Sequence, residues 1–530
     1  MRKISRLLFA SMLAITVGCA KRGNITGGAK DTIAPVLKAS FPKNFSTGFT
    51  GNEIKLEFDE YVTLKDAKKQ LIVSPPMKQA PEISPLTATK TITIKFRDTL
   101  LPNTTYSFNF GQSIRDNNEG NPYPQFKYVF STGSFIDSLS LSGTIKDAHD
   151  KKVDSFVSVM LYEANEQFND SVIFKESPRY ITNTLDSAKT FRLENLKAGK
   201  YLLIALKDKS SNNRFDPKTD KIGFNRKFVT IPNDTLYEIK LFKEITPFKA
   251  QKPTLASGNK LLMAYEGDPA GLKSELRNGT AVIPTVLTKV PQKDSLHIWY
   301  QPVKADSLEL SVTKNKISQQ FTVKIKPQKK DTLGFSLRQT NILPLREKLT
   351  LNATRPLAKI NESLLKITNK DSAAVAFTTD YDEFNMQLKF NFPVEPLQKY
   401  KITALPGALV DFFGKANDSL SFAIGTKNTS DYGNLRVRLE NVRRWPVIVE
   451  LTNAKGEVVA SEFSENSDVI DFNSLEPTVY TLRLIYDDNS NKVWDTGNYL
   501  EKRQGEEVIY FPKDVDVRAN WDVDQPFNLP

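Results

Sequence analysis

The chain of 530 residues has one cysteine and two histidines. One cysteine excludes an intrachain disulfide framework and a cysteine-based zinc site. His149 and His297 stand far apart in the sequence, which excludes a histidine cage for a metal and leaves a Ser-His-Asp triad resting on an isolated histidine. No uncharged apolar run reaches the ~18 residues of a transmembrane helix. No long 3.6-residue period is present, and neither is a G-x-S-x-G, a P-loop or a Rossmann fingerprint. What is plentiful is Phe (33), Pro (29) and Tyr (17), with 39% hydrophobic and 25% charged residues. That is globular composition, and the length suits three to five domains.

Arg2, Lys3 and Arg6 precede an uncharged apolar stretch from Leu7 to Gly18, too short to span a bilayer. A basic start and a short apolar run form a secretory signal. It ends at Gly18-Cys19, on the one cysteine. This resembles the bacterial lipoprotein signal, with Gly18 and Val17 fitting the cleavage region and Thr16 departing from the usual Leu. The resemblance implies cleavage after residue 18, lipidation of Cys19, and an outer-membrane anchor through acyl chains that each contribute ~0.8 kcal/mol per buried CH₂. Residues 19–33 read as a Gly-rich polar tether. They are basic after Cys19 and lack an acidic cluster, which favours a periplasm-facing anchor. Loss of Arg2, Lys3 and Arg6 lowers the formal charge from +12 to +9. The charge is spread along the chain, so nucleic-acid binding is excluded as a reading.

The remaining pattern is strand nearly everywhere. Glu53-Ile54-Lys55-Leu56-Glu57-Phe58, Thr91 to Phe96 and Tyr106 to Phe110 alternate polar and apolar residues. The most helical piece is Leu64 to Leu71. Turn clusters at 101–104 and 117–122 separate the strands. The expected fold is all-β, a tandem array of antiparallel sandwiches. Residues 34–133, with Phe58-Asp59-Glu60, Leu101-Pro102-Asn103-Thr104-Thr105-Tyr106 and Phe130-Ser131-Thr132, look like the Ig-like domain of bacterial surface-layer proteins. With the tether and Asp116 to Pro122 they resemble Ig-like-domain lipoproteins of the Bacteroidota type. Residues 138–243, through Phe191 to Ala205, resemble a transthyretin-like (carboxypeptidase-regulatory-like) sandwich, with Thr190 in place of the usual Gly. Residues 247–258 read as a linker and 259–336 as an unassigned β unit. Residues 340–427 echo the first unit as a degenerate Ig-like copy, and 433–530 echo the second.

Two acidic loops repeat. Asp208, Ser210, Asn212 and Asp216, with Asp220 beyond, match Asp487, Asn489, Asn491 and Asp495. Oxygen-bearing residues at positions 1, 3, 5 and 9 resemble a calcium loop. The Gly expected at position 6 is Asn213 or Lys492, and position 12 holds Thr219 or Asn498 in place of Glu. The same residues also make an Asx-rich turn, with no cofactor. Asp59 and Glu60 are adjacent on a strand and face opposite sides, so they do not form an acid–base pair. His149 lies in a polar turn and reads as solvated; His297 lies in a strand beside Trp299. Tyr123, Tyr180, Trp445, Trp494 and Trp521 are candidates for stacking on sugars. The expected function is a non-enzymatic envelope lipoprotein, a structural or binding arm for a protein or glycan partner. The alternative is a glycan-handling accessory protein or weak hydrolase with carboxylates on its loops.

Overall fold

The computed structural model describes residues 31–184 and 189–530, so the signal, Cys19 and most of the tether lie outside the described residues. The described chain is nearly all strand, as the alternating pattern requires. Helix is confined to short pieces such as the one-turn Ala67–Gln70, within the stretch read as helical, and Val172–Lys175. Among the described residues no helix is long and apolar enough to cross a membrane. Two compact units emerge. One holds residues up to Ser140 with Arg179–Ile181 and Glu194–Lys197; the other holds Leu141–Pro178, Thr182–Leu193 and Ala198–Pro530.

In the first unit, Leu37–Phe41, Glu53–Leu64, Thr89–Lys95 and Glu82–Ser84 form one sheet in that spatial order, with Ile114–Asp116 paired to the end of Glu53–Leu64. The opposing sheet is Ile72–Ser74, Thr105–Asn109 and Lys127–Ser131. Ile54, Leu56, Phe58, Ile92, Ile94, Phe96, Phe108 and Phe130 fill the space between the sheets. The alternation read from the sequence therefore sets one face of each strand into the core. Tyr106 Oη accepts a hydrogen bond from Leu101 N at 2.9 Å and fixes the corner before its strand.

Residues 335–425 repeat this plan. Phe335–Leu337, Leu349–Ala353, Gln387–Asn391 and Thr378–Asp382 form one sheet; Leu365–Thr368, Lys399–Ala404 and Leu420–Gly425 belong to the other. Tyr400 Oη accepts from Glu395 N at 2.9 Å, again five residues upstream. Thr426 then repeats Thr132: each hydroxyl accepts a backbone N–H, from Gln398 and Thr104, and donates to the carbonyl of Glu395 and Leu101.

The second and fifth sandwiches share their own plan. Leu139–Asp147 pairs in parallel with Leu236–Leu241, and Gly433–Glu440 pairs in parallel with Asp522–Asn528. In the facing sheets, Gly199–Lys207 is flanked by Ser158–Glu163 and Lys221–Phe224, and Thr478–Tyr486 by Val447–Thr452 and Val508–Tyr510. Val229–Ile231 and Val515–Val517 pair with the starts of these central strands.

The third sandwich has sheets of Lys249–Ala250, Lys260–Glu266, Ser295–Tyr300 and Thr285–Lys289, and of Ala281–Ile283, Lys273–Asn278, Ser307–Lys314 and Ile317–Lys324. The stretch 247–258 is part of it and not a linker. Its strands Lys249–Ala250 and Thr254–Ser257 both pair with Lys260–Glu266. They are short edge strands, where flanking Pro residues are tolerated, and that gave them the composition of a loop.

Candidate functional site: a charged aromatic cleft between the third and fourth sandwiches

Ser295–Tyr300 is a central strand of its sheet. Leu296, Ile298 and Tyr300 enter the core of the third sandwich, so His297 and Trp299 project from the other face. Trp299 is nonetheless only 2% exposed. Its Nε1 donates to Thr288 Oγ1 at 2.9 Å, Lys260 Nζ lies 4.7 Å from its ring centre, and the Phe413 ring meets it edge-on at 6.2 Å. Phe413 comes from the fourth sandwich, whose turn covers this face. Gln301 Nε2 donates to Phe412 O, and Lys289 N donates to Phe384 O at 2.7 Å.

A cleft of about 240 Å³ remains, lined by Asn259, Trp299, Pro302, Lys330, Asp331, Arg355 and Phe413. Arg355 follows the strand Leu349–Ala353. Its Nη1 donates to Asp411 Oδ2 at 2.7 Å, and its guanidinium lies 5.2 Å from the Phe413 ring centre. Asp411 is fully buried; its Oδ1 also accepts N–H groups from Phe413 at 2.9 Å and Lys415 at 2.8 Å. Arg355 Nε is buried with no hydrogen-bond partner. Across the cleft Asp331 pairs with Lys260 Nζ at 3.0 Å and accepts the Ser257 hydroxyl. Burial opposes ionisation of Asp331, but the Ser257 hydroxyl and the Lys260 ammonium hold its carboxyl below the usual range. His297 is half-buried, its Nδ1 without a partner. Burial first and the nearby Lys260 second push it down to about 4, so it is neutral at pH 7.

The repeated acidic loops are elsewhere, and their carboxylates face backbone. Asp208 accepts N–H groups of Ser211 and Asn213, both at 2.7 Å; Asp487 accepts those of Asn491 at 3.1 Å and Lys492 at 2.8 Å. Ser210 donates to Asp208, Asn212 accepts from Arg214 N, and Asp216 accepts from Lys218 N. Asn489 and Asn491 both donate to Asp495. The Gly-like position 6 is left-handed in both copies, Asn213 at φ 58° and Lys492 at φ 67°. Among the described residues no group of three His, Cys, Asp or Glu side chains is arranged to hold a metal.

Sequence reasoning missed one member of this loop. Buried Asp220 accepts N–H groups of Lys209 and Asp216; Glu506 does the same for Asp488 and Asp495. Glu506 comes 19 residues after Asp487, where Asp220 comes 12 after Asp208. The extra residues dock on the second sandwich. Thr496 Oγ1 donates to Lys243 O at 2.7 Å, Tyr499 N to Glu244 at 2.6 Å, and Gln504 Nε2 to Phe224 O at 2.9 Å. A Cβ on Gly497 would lie 2.5 Å from the Phe242 ring, so only glycine allows this approach.

Several single residues also fall differently from their sequence reading. His149 is not a free turn residue: its ring lies 4.5 Å from that of Trp494, and its carbonyl accepts from Arg483 and Tyr510. Of the aromatic candidates for sugar stacking, Tyr180 is buried. Tyr123 packs on Phe58 and Phe126, and Trp445 packs on the fifth core. Trp494 donates to Glu506 O. Trp521 is exposed at 55%, with Arg518 5.0 Å from its ring centre. At Asp59, Oδ1 accepts Val36 N, while Glu60 senses Asp116.

Residues 31–132 match the model of the bacterial Ig-like domain. No curated protein matches the chain. Among solved structures, domains 1–6 of the surface layer protein SbsC align over 91% of this chain and 67% of theirs, at 11% identity and a TM-score of 0.16. Titin domains A168–A170 align over 45% of this chain and 91% of theirs, at 12% identity and 0.14. Salmonella alpha-2-macroglobulin reacted with methylamine aligns over 91% and 42%, at 11% identity and 0.15. These structural likenesses are too slight to bear on function. The family match covers less than half of the chain, and what it establishes is an all-β protein that carries a bacterial Ig-like domain at residues 31–132.

Proposed function

We propose that the protein is a non-enzymatic lipoprotein of the bacterial cell envelope, held to the outer membrane through Cys19, whose sandwiches form a structural and binding body for a protein or glycan partner. The observation that carries this reading is the bacterial Ig-like domain at 31–132, just after the Gly18-Cys19 junction and its tether. The carboxylates in and behind the cleft support a binding role over hydrolysis. Asp331 is paired with Lys260 and Asp411 with Arg355, which leaves neither free as a general acid. Glycosidases need one raised and one free carboxyl flanking the bond.

Fractionation of cells carrying Cys19→Ala tests the anchor. The variant moves from the membrane to the soluble periplasmic fraction; retention in the membrane overturns the lipid assignment. Protease shaving of intact cells, with immunoblotting for residues 433–530, assigns the face. Protection until the outer membrane is permeabilised is the outcome expected of a periplasmic anchor. For the Asx loops we propose a structural turn, and a melting temperature unmoved by millimolar calcium is the expected result. A clear rise would assign Asp208, Asp216, Asp487 and Asp495 to a metal.

A further inference from the structure

We infer that the cleft between the third and fourth sandwiches binds a carboxylate-bearing single ring, the size of one acidic sugar unit. The inference deepens the binding role proposed above and rests on it. Three properties of the cleft lead there.

The first is size. About 240 Å³ lies below the ~300–1,000 Å³ of pockets that enclose drug-sized ligands, so the cleft suits one ring and not an enclosed oligomer. The second is charge. Of the lining residues Lys330 and Arg355 are cations and Asp331 is the one carboxylate, so cations outnumber carboxylates by one; the Lys260 and Asp411 charges behind them cancel. Lys330 is exposed and makes no ion pair among the described residues. Arg355 lines the cleft with a guanidinium of which Nη1 is given to Asp411 and which stays 12% exposed. A guanidinium pairs best with a carboxylate. A cationic ligand meets like charge here, and a neutral one gains no ion pair with Lys330 or Arg355. The third is the wall. Phe413 and Pro302, backed by the buried Trp299, give an apolar surface for the C–H face of a ring, and the Asn259 amide can meet hydroxyls.

The test is calorimetric titration of the full chain with sodium glucuronate, with glucose and acetate as controls. Saturable binding of glucuronate in the millimolar range, weakened by salt, is expected; glucose and acetate bind at least tenfold more weakly. Lys330→Glu keeps the melting temperature of the parent and lowers glucuronate affinity at least tenfold. Phe413→Leu retains the Arg355–Asp411 pair and lowers it several-fold. A glucuronate-terminated oligosaccharide separates the sources: tighter binding than the monosaccharide assigns a polymer end, weaker binding a free acid, and either supports the site. No saturation by glucuronate at tens of millimolar overturns the inference. So does equal binding of glucose or acetate, or an unchanged affinity in a folded Lys330→Glu variant. Those failures leave the Cys19→Ala fractionation untouched, so the two readings fail separately.

Discussion

The first and fourth sandwiches build the same turn and put opposite charges beside it. Val62 pairs with Asp116 and Leu357 pairs with Asp411, which makes Glu60 and Arg355 equivalent, each two residues before the pairing partner. Asp116 accepts four backbone N–H groups, from Asn118, Glu119, Gly120 and Asn121; Asp411 accepts two and then the Arg355 guanidinium. The turn needs the aspartate, and the charge beside it is free to vary. Where the copy faces a neighbouring sandwich, that position holds Arg355 and joins a cleft. The second and fifth sandwiches repeat the lesson. Asp220 and Glu506 support the same loop, and the downstream copy adds the residues that dock on its neighbour.

The hardest way to break the comparison is to write the first copy's charge into the fourth. Arg355→Glu should cost about 3–5 kcal/mol of unfolding free energy, because it leaves the fully buried Asp411 without its cation and beside a like charge. Urea denaturation measures it, and Arg355→Lys should recover part of the loss. A cost under about 1 kcal/mol would mean that backbone N–H groups alone satisfy Asp411, as they do Asp116.

Tyr499→Ala tests the added loop of the fifth sandwich. Tyr499 is fully buried, packs edge-on to Phe224 at 5.4 Å, and its hydroxyl bonds Asp170 at 3.2 Å. The expected cost is about 3 kcal/mol. If the loop is an unloaded insertion, the variant will melt with the parent.

The pattern of strands was legible because one face of each is buried, so the period-two signal survives in single segments such as Glu53 to Phe58. The cleft was not legible. Asn259, Trp299, Asp331, Arg355 and Phe413 are spread over more than 150 positions, and no local spacing gathers them. Asp411-Phe412-Phe413 reads as a worn copy of the turn at Asp116, and nothing in the sequence around Arg355 singles it out. The aromatic candidates for sugar stacking lie at strand ends and in loops, but burial depends on what packs against such a segment: Tyr180 is enclosed, and Trp494 is covered by His149. Glu506 was missed because the insertion moved it away from the position that Asp220 occupies.

The third sandwich, which walls the cleft, and the first should also answer acid with opposite sign. His297 has a folded-state pKa of about 4 against ~6.5 unfolded, so the unfolded chain takes up the proton first and stability falls as pH drops from about 6.5 to 4. After allowance for partial exposure the loss is about 1–2 kcal/mol. His297→Gln should abolish that share of the acid sensitivity while leaving other groups unchanged; thermal melts of both proteins at pH 7 and 4.5 read the difference.

Glu60 supplies the smaller, inverse effect. Burial and then the charge of Asp116, with Asp59, Asp31 and Glu119 behind it, raise its pKa. The folded state therefore binds its proton more readily than the unfolded chain, and ionisation at neutral pH works against folding. Glu60→Gln should raise stability at pH 7 by a few tenths of a kcal/mol, since the site is only partly buried. The gain should vanish below about pH 4.5, where both forms are neutral. Glu60→Arg, which writes the fourth copy's charge into the first, should do at least as well at pH 7, because it replaces repulsion from Asp116 with attraction. If Glu60→Gln instead destabilises at pH 7, the carboxylate has a favourable partner of its own there, and the two turns differ by more than the sign of one neighbouring charge.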